Sequence, residues 1–427
     1  MTVAISTSDG PIRAVSTKKA LAFVYIGYAF RYLYLLVLVP FYGRVLGAAE
    51  YGRVLAAMSL YQLVWMLAEY GFPSVGLRDI AIGKTSQRIA QIYGRHMSGR
   101  LLMTVLGAII GLVGTLVSPL LRERPIFGIL ATLSGMTAAF NMGWYFQGTL
   151  RFRTSVLVEV LGFSINLAFV LLLVHRREDG FIVLGSLLGS SLIATAIAHA
   201  IALRSMDRAS IRSSGTIALV RESTALFAAR GLALVMSSSS TLLISVFAGA
   251  KEVGWYGAAE RLVSAGLSLM VPANQVLIGT VASLVGSKDT ELQAYALIRR
   301  GLVALTGLGT VMLAGVLLSA GIAVPLLLGP DFGPSVRMLR ILSLMFPFAA
   351  FVQVIVGYIL VPLRYDRFVS TASLVGAVAT VTLTVMLGRV WGGEGVSWAR
   401  TMGYMAMCLT LVAVLRREGL VRRIATR

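Results

Sequence analysis

The sequence predicts an all-α integral membrane protein, with twelve transmembrane helices in two parallel-repeat six-helix lobes around a central cavity. Three observations carry that expectation. The 427 residues divide into twelve apolar runs of roughly twenty residues, each long enough to span a hydrocarbon core of about 30 Å as a helix. The composition is 57% hydrophobic and 13% charged with a mean hydropathy of +0.84, more apolar surface than a water-soluble core could hide. The cations, finally, are sorted by loop.

In order, the first six runs cover residues 21–42, 55–75, 101–120, 126–146, 155–174 and 181–203. The second six cover 225–247, 262–285, 302–328, 338–360, 369–387 and 396–415. The expected organisation is a cytoplasmic N-terminal segment 1–19, an N-terminal lobe 20–203, a cytoplasmic linker 204–224, a C-terminal lobe 225–415 and a basic tail 416–427. The stretch before the first run is basic, but the run is too long for a signal-peptide core and has no clear small-residue cleavage site, so it reads as a retained helix. The linker is too short to fold around a core of its own, which leaves function among the helices.

A net charge of +20 and a pI near 10.7 would suggest nucleic acid as the partner of a soluble chain. Here 24 of the 38 Lys and Arg residues fall in alternate loops and at the two ends, and nine in the opposite loops or at their edges. That asymmetry is the positive-inside pattern, so no nucleic-acid partner is expected and both termini are expected in the cytoplasm. Cys408 is the only cysteine, so no intrachain disulfide can form. His96, His175 and His199 are scattered, and no metal-ligand cluster, acidic catalytic pair or phosphate-binding Gly-rich loop occurs. No cofactor and no enzymatic activity are expected.

A weak internal repeat supports the split into halves. Gly47-Ala48-Ala49-Glu50-Tyr51-Gly52 aligns with Gly249-Ala250-Lys251-Glu252-Val253-Gly254, 202 residues further on. Pro73 and Pro272 follow at nearly the same offset, and Leu150-Arg151-Phe152-Arg153 resembles Leu363-Arg364-Tyr365-Asp366-Arg367. Six spans return the chain to its starting side, so such halves would be parallel repeats with a substrate site between them.

Ionisable groups inside the runs are the strongest functional signal, because a charge at the centre of a span costs about 2.5–3.5 kcal/mol even on the permissive insertion scale. Arg31 lies at the midpoint of the first run, with Tyr25, Tyr28 and Tyr32 at helical spacing beside it. A guanidinium beside a tyrosine face suits a ligand carrying sugar rings and phosphate; pairing with Glu69 or Glu159 is the other reading. Arg53, Arg230, Arg340 and Arg400 lie at or inside run limits, with Arg261 at an edge, against two intramembrane acids, Glu69 and Glu159. Snorkelling explains Arg230, Arg340 and Arg400 about as well as function does. The excess as a whole suggests an anionic ligand in a shared cavity. Asn141, Asn166, Gln353 and the 237–241 hydroxyl run point to a hydrated interior, and Asn274 and Gln275, just past Pro272, are the better-placed polar candidates.

Several segments resemble the polysaccharide and lipid-linked oligosaccharide flippases of the multidrug/oligosaccharidyl-lipid/polysaccharide exporter superfamily. They are Arg44-Val45-Leu46-Gly47-Ala48-Ala49-Glu50-Tyr51-Gly52, Glu69-Tyr70-Gly71-Phe72-Pro73 with Arg78-Asp79-Ile80-Ala81, Trp144-Tyr145-Phe146-Gln147-Gly148, and Val253-Gly254-Trp255-Tyr256-Gly257-Ala258-Ala259-Glu260-Arg261. The resemblance implies two six-helix lobes, a cationic cavity and alternating access, with an undecaprenyl-diphosphate-linked glycan as cargo in a bacterial inner membrane. It implies that Arg31 and Arg261 hold the diphosphate, and that a polysaccharide polymerase and a chain-length regulator are partners. A multidrug cation antiporter of the same superfamily is the nearest alternative, but it would need more intramembrane acid. A membrane-embedded polymerase or glycosyltransferase would need a long external loop, and a peptidoglycan-precursor flippase tends to have two further helices.

Overall fold

The computed structural model describes residues 17–83, 85–270, 281, 291–363 and 365–419; within these, side chains at 17–29, 32, 229–230, 232–239 and a few near 291 and 366 are not described. Every described element is helical. Eight helical stretches among the described residues are long and apolar enough to cross a membrane. Their outward faces carry large apolar side chains such as Leu112, Leu172, Leu318 and Ile322, which water would not tolerate in such density but lipid does.

The first helix, α1 (Thr17–Glu69), runs through the region where hydropathy places a loop. A polar stretch of a few residues does not end a helix whose backbone groups have no better partners. What breaks its direction is Gly47, whose φ of 69° and ψ of 173° lie outside the helical basin. Then come α2 (Phe72–Ile82), α3 (Ser86–Val117), α4 (Pro119–Glu123), α5 (Pro125–Ala138), α6 (Gly143–Gly148), α7 (Phe152–Leu173), α8 (Gly180–Leu203), α9 (Thr216–Ile244) and α10 (Ala250–Leu269). Beyond them are α11 (Glu291–Leu328), α12 (Ser335–Ser343), α13 (Met345–Val354) with a π-helical turn Ile355–Leu360, and α14 (Asp366–Arg417). A second positive-φ glycine, Gly392, interrupts α14. There the Glu252 carboxylate of α10 accepts the Gly393 amide proton at 2.8 Å, capping the break.

Two compact units emerge. One comprises residues up to Leu38 together with Ala57–Arg230, the other Val39–Ala56 together with Gly231–Arg427. In the first, α3 and α5 pack through reciprocal small residues: a side chain at Gly111 would meet Thr132, and one at Gly128 would meet Thr115. Thr115 and Thr132 return their hydroxyls to the carbonyls of Gly111 and Gly128 at 2.7 Å, so both of these hydroxyls are satisfied within their own helices. The segment after α8 is docked on α3. The Asp207 amide donates to Ser86 Oγ at 3.0 Å, Ser98 and Thr216 share a hydroxyl bond of 2.7 Å, and Arg95 Nε donates to the Gly215 carbonyl at 3.2 Å. Glu222 then pairs with Arg78 and Arg95, and these guanidiniums hold its carboxyl below the usual carboxylate range. In the turn before α8, Asp179 accepts the amides of His175 and Arg176 at 2.9 and 2.8 Å, which likewise lowers its pKa.

In the second unit the two repeat motifs touch each other. A Cβ at Gly52 would strike the Ala250 carbonyl oxygen, and one at Gly254 would strike the Ala48 carbonyl oxygen. Positions 48 and 52 map onto 250 and 254 under the 202-residue offset, so the close approach is reciprocal.

Candidate functional site

A pocket of about 370 Å³ lies wholly within the first unit. Helical spacing explains its walls. α1 contributes Arg31, Tyr34, Tyr61 and Trp65; α7 presents Ser155, Glu159, Gly162, Phe163 and Asn166 along one face; α8 presents Ser190, Ser191, Ala194, Thr195 and Ala198. The break between α5 and α6 supplies Asn141, and α6 supplies Phe146 and Gln147. Small residues let α7 and α8 approach closely here: a Cβ at Gly162 would lie 3.2 Å from the Ala194 Cβ.

Arg31 forms a charge-assisted hydrogen bond with Glu159, the two side chains being 50% and 37% exposed. Its guanidinium lies 5.9 Å from the Phe163 ring centre. Arg31 therefore lines a pocket and has a carboxylate partner there. Deeper in, the Tyr34 hydroxyl donates to Asn166 Oδ1 at 2.5 Å. Asn141 Nδ2 reaches Glu69 Oε1 at 3.4 Å and the Ala138 carbonyl at 3.2 Å, while its Oδ1 accepts the Gly143 amide at 3.1 Å. Glu69 is thus linked to the pocket through Asn141.

The other sequence candidates fall elsewhere. Arg53 pairs with Glu50 at 2.9 Å in the second unit. Arg261, on α10, lies near enough to the buried Tyr51 to act electrostatically on its hydroxyl. Tyr25 and Tyr28 are on α1 and Arg230 is on α9, but their side chains are not described. Asn274 and Gln275 lie outside the described residues. Arg340 is exposed.

Two features correct the charge tally made from hydropathy. Glu260, which the run limits leave outside the membrane, is buried, bonded to Arg400, and accepts the Thr241 hydroxyl proton. Arg31, Arg53 and Arg400 are each paired with a carboxylate, so internal pairing absorbs much of the arginine excess. Hydropathy misses this because Glu260 sits two residues before an apolar run, where a window average hides it. The second is Arg100, which the run limits leave just outside the third run. It is 0% exposed, its guanidinium lies 5.1 Å from the Trp144 ring centre, and its nitrogens make no hydrogen bond among the described residues. His96, equally buried, stacks on Trp144 with ring centres 4.7 Å apart. The sequence signal was present: Arg100 follows His96 by one helical turn and directly precedes the apolar run 101–120. Among the described residues no group of three His, Cys, Asp or Glu side chains could hold a metal ion.

Long apolar helices, with polar side chains such as Arg31, Glu159 and Asn141 gathered in a pocket among them, make this a multi-pass membrane protein. The chain belongs to the polysaccharide biosynthesis protein family, whose model matches residues 17–285. It is 20% identical over 386 residues to a protein named as an O-antigen transporter of Shigella dysenteriae, covering 88% of this chain and 94% of that one. A protein of the same name from Escherichia coli (strain K12) is 24% identical, over 73% of this chain and 75% of the relative. Among solved structures, the lipid II flippase MurJ in an inward closed conformation superposes with a TM-score of 0.72 at 11% identity, over 93% of this chain and 87% of that one. An inward-facing multidrug resistance transporter of the MATE family gives 0.61 at 14% identity, over 92% and 99%. At these identities the superpositions speak for the fold. The relatives carry transporter names, and the chain is a non-enzymatic membrane transporter of polysaccharide biosynthesis.

Proposed function

We propose that this chain moves undecaprenyl-diphosphate-linked oligosaccharide across the bacterial inner membrane, by alternating between cytoplasm-open and outward-open states. The physical task is to carry a diphosphate and sugars past hydrocarbon while the polyprenyl tail stays in lipid. The observation that carries the reading is the pocket of the first unit. Arg31, Glu159, Asn141, Gln147 and Asn166 gather polar groups among helices whose other faces are apolar. Family membership and the names of the two O-antigen relatives support polysaccharide as the cargo class.

The same proposal includes twelve spans in two six-helix lobes. In its support, α1 and α14 are each about twice the length one crossing needs, and each is broken near its middle by a positive-φ glycine. Both termini are placed in the cytoplasm on the loop charges. Arg53, Arg230, Arg261, Tyr25, Tyr28, Asn274 and Gln275 are further ligand contacts in this reading, Glu69 and Glu159 coupling groups or charge partners, and a polymerase and a chain-length regulator partners in the pathway.

Arg31→Ala is expected to abolish export of surface polysaccharide while leaving the amount of membrane-inserted protein unchanged, with lipid-linked intermediates accumulating inside. Surface polysaccharide at wild-type level in that variant would overturn the assignment.

A further inference from the structure

A second cavity, of about 620 Å³, opens in the first unit where α2 ends and α3 begins. It shares no lining residue with the pocket that holds Arg31. Gly83 and Thr85 shape the turn: the Gly83 amide closes α2 on the Asp79 carbonyl at 2.9 Å, and the Thr85 hydroxyl accepts the Arg88 amide at 3.2 Å to open α3. The cavity around this turn is lined by three guanidiniums, of Arg78, Arg88 and Arg95, and two carboxylates, of Asp79 and Glu222. Arg78 donates to both carboxylates, at 3.1 Å to Asp79. Arg95 donates to Glu222 at 3.3 Å and lies 3.7 Å from Asp79. Arg88 is exposed and has no carboxylate partner among the described residues; its guanidinium reaches the Gln91 side-chain oxygen at 3.3 Å. The described lining therefore has one more cation than it has anions.

A single exposed arginine is satisfied by water. Here Arg88 stands with two others that are held in place: the Gly215 carbonyl accepts from Arg95 Nε at 3.2 Å, and Glu222 ties the start of α9 to Arg78 on α2 and Arg95 on α3. Fixed guanidiniums around an open cavity suit a phosphate, because its tetrahedral oxygens can accept from more than one planar N–H fork at once. Ile82, 70% exposed, also lines the cavity and sets an apolar rim beside the charges. We propose that this pocket binds the phosphate group of a ligand other than the cargo, either an anionic phospholipid headgroup or a free phosphate ester, through Arg88 with Arg78 and Arg95 beside it. The cargo is set aside because the cavity sits at a turn between helices and not along their length. In this arrangement the bound anion bridges α2 and α3, on the side that the loop charges assign to the cytoplasm, and Asp79 and Glu222 compete with it for the same donors. The proposal stands without the flippase reading.

The test uses the full chain in detergent micelles, with binding read by native mass spectrometry. One arm titrates phosphatidylglycerol against phosphatidylcholine, whose headgroup has the same phosphate but no net charge; the other titrates glycerol 3-phosphate, a soluble ester. Wild type is expected to bind one or both of the anions, and phosphatidylcholine about tenfold more weakly. Arg88→Gln should weaken the tightest anion site about tenfold. Glu222→Gln keeps the shape and removes a competing charge, so it should tighten that site about threefold. Changes of opposite sign do not follow from a loss of folding. Arg416→Gln, the same loss of charge at the end of α14, should leave binding unchanged. Phosphatidylglycerol bound without glycerol 3-phosphate gives a membrane lipid as the source, and glycerol 3-phosphate bound as tightly gives a free ester. Neither anion bound by wild type, Arg88→Gln binding no more weakly than Arg416→Gln, or no tightening in Glu222→Gln would each overturn the site.

Discussion

The arginines of this chain meet different surroundings, and the difference has measurable consequences. Arg400, 2% exposed, meets Glu260, which also accepts the Thr241 hydroxyl. Removing one partner of such a pair strands the other, so Arg400→Met should lower stability by about 3–5 kcal/mol. Arg400→Met combined with Glu260→Leu should recover most of that, read as the midpoint of thermal unfolding in detergent. A double variant no better than the single would show that the pair is more than a matched charge. Arg31 differs because its bond to Glu159 faces a cavity, so its loss should cost transport rather than folding. Arg31 and Glu159 were legible from sequence, since a charge inside an apolar run is conspicuous. Trp65, Tyr34 and Tyr61 were not, because aromatic residues in an apolar helix carry no mark of which face they occupy. Arg100 was misplaced for a related reason: hydropathy reads its charge as exposure, whereas the fold covers it with Trp144 and His96.

Between elements, closeness of backbones does the work that hydrophobic burial does in water, because lipid competes for every apolar contact. The Gly52–Ala250 and Gly254–Ala48 approaches are the sharpest case, with room for no side chain at either glycine. Gly254→Val should therefore reduce stability by about 1–3 kcal/mol or more and depress the yield of folded protein, measured by thermal unfolding after purification. Gly249→Ala, where nothing lies within 4 Å, should leave both unchanged and serves as the control. Equal behaviour of the two variants would show that the crossing tolerates separation. The repeat that looked marginal in sequence has a physical basis in this contact, since each motif must be small where the other passes.

For the whole molecule, the charge of the loops and the length of the helices make separate statements about how the chain threads the bilayer. Reporter fusions after residues 151, 212 and 417 should report cytoplasm, and one after 177 the opposite side; a reversed signal at 212 would remove the basis for the proposed orientation. The segment around 212 carries Arg208, Arg212 and Arg221 and is held on α3 by hydrogen bonds, so it reads as a fixed ledge rather than a free linker. Its docking was invisible in sequence: Gly94, against which the Arg212 backbone rests, looks like any other helical glycine.

By itself the sequence determined the solvent, the helical character and the class of transporter, because hydropathy, loop charge and short motifs are properties of contiguous residues. Tertiary structure decided which charges are paired, which glycines are contacts and which polar side chains share a pocket. Those outcomes depend on residues such as Arg31 and Glu159, 128 positions apart, whose meeting no local pattern encodes.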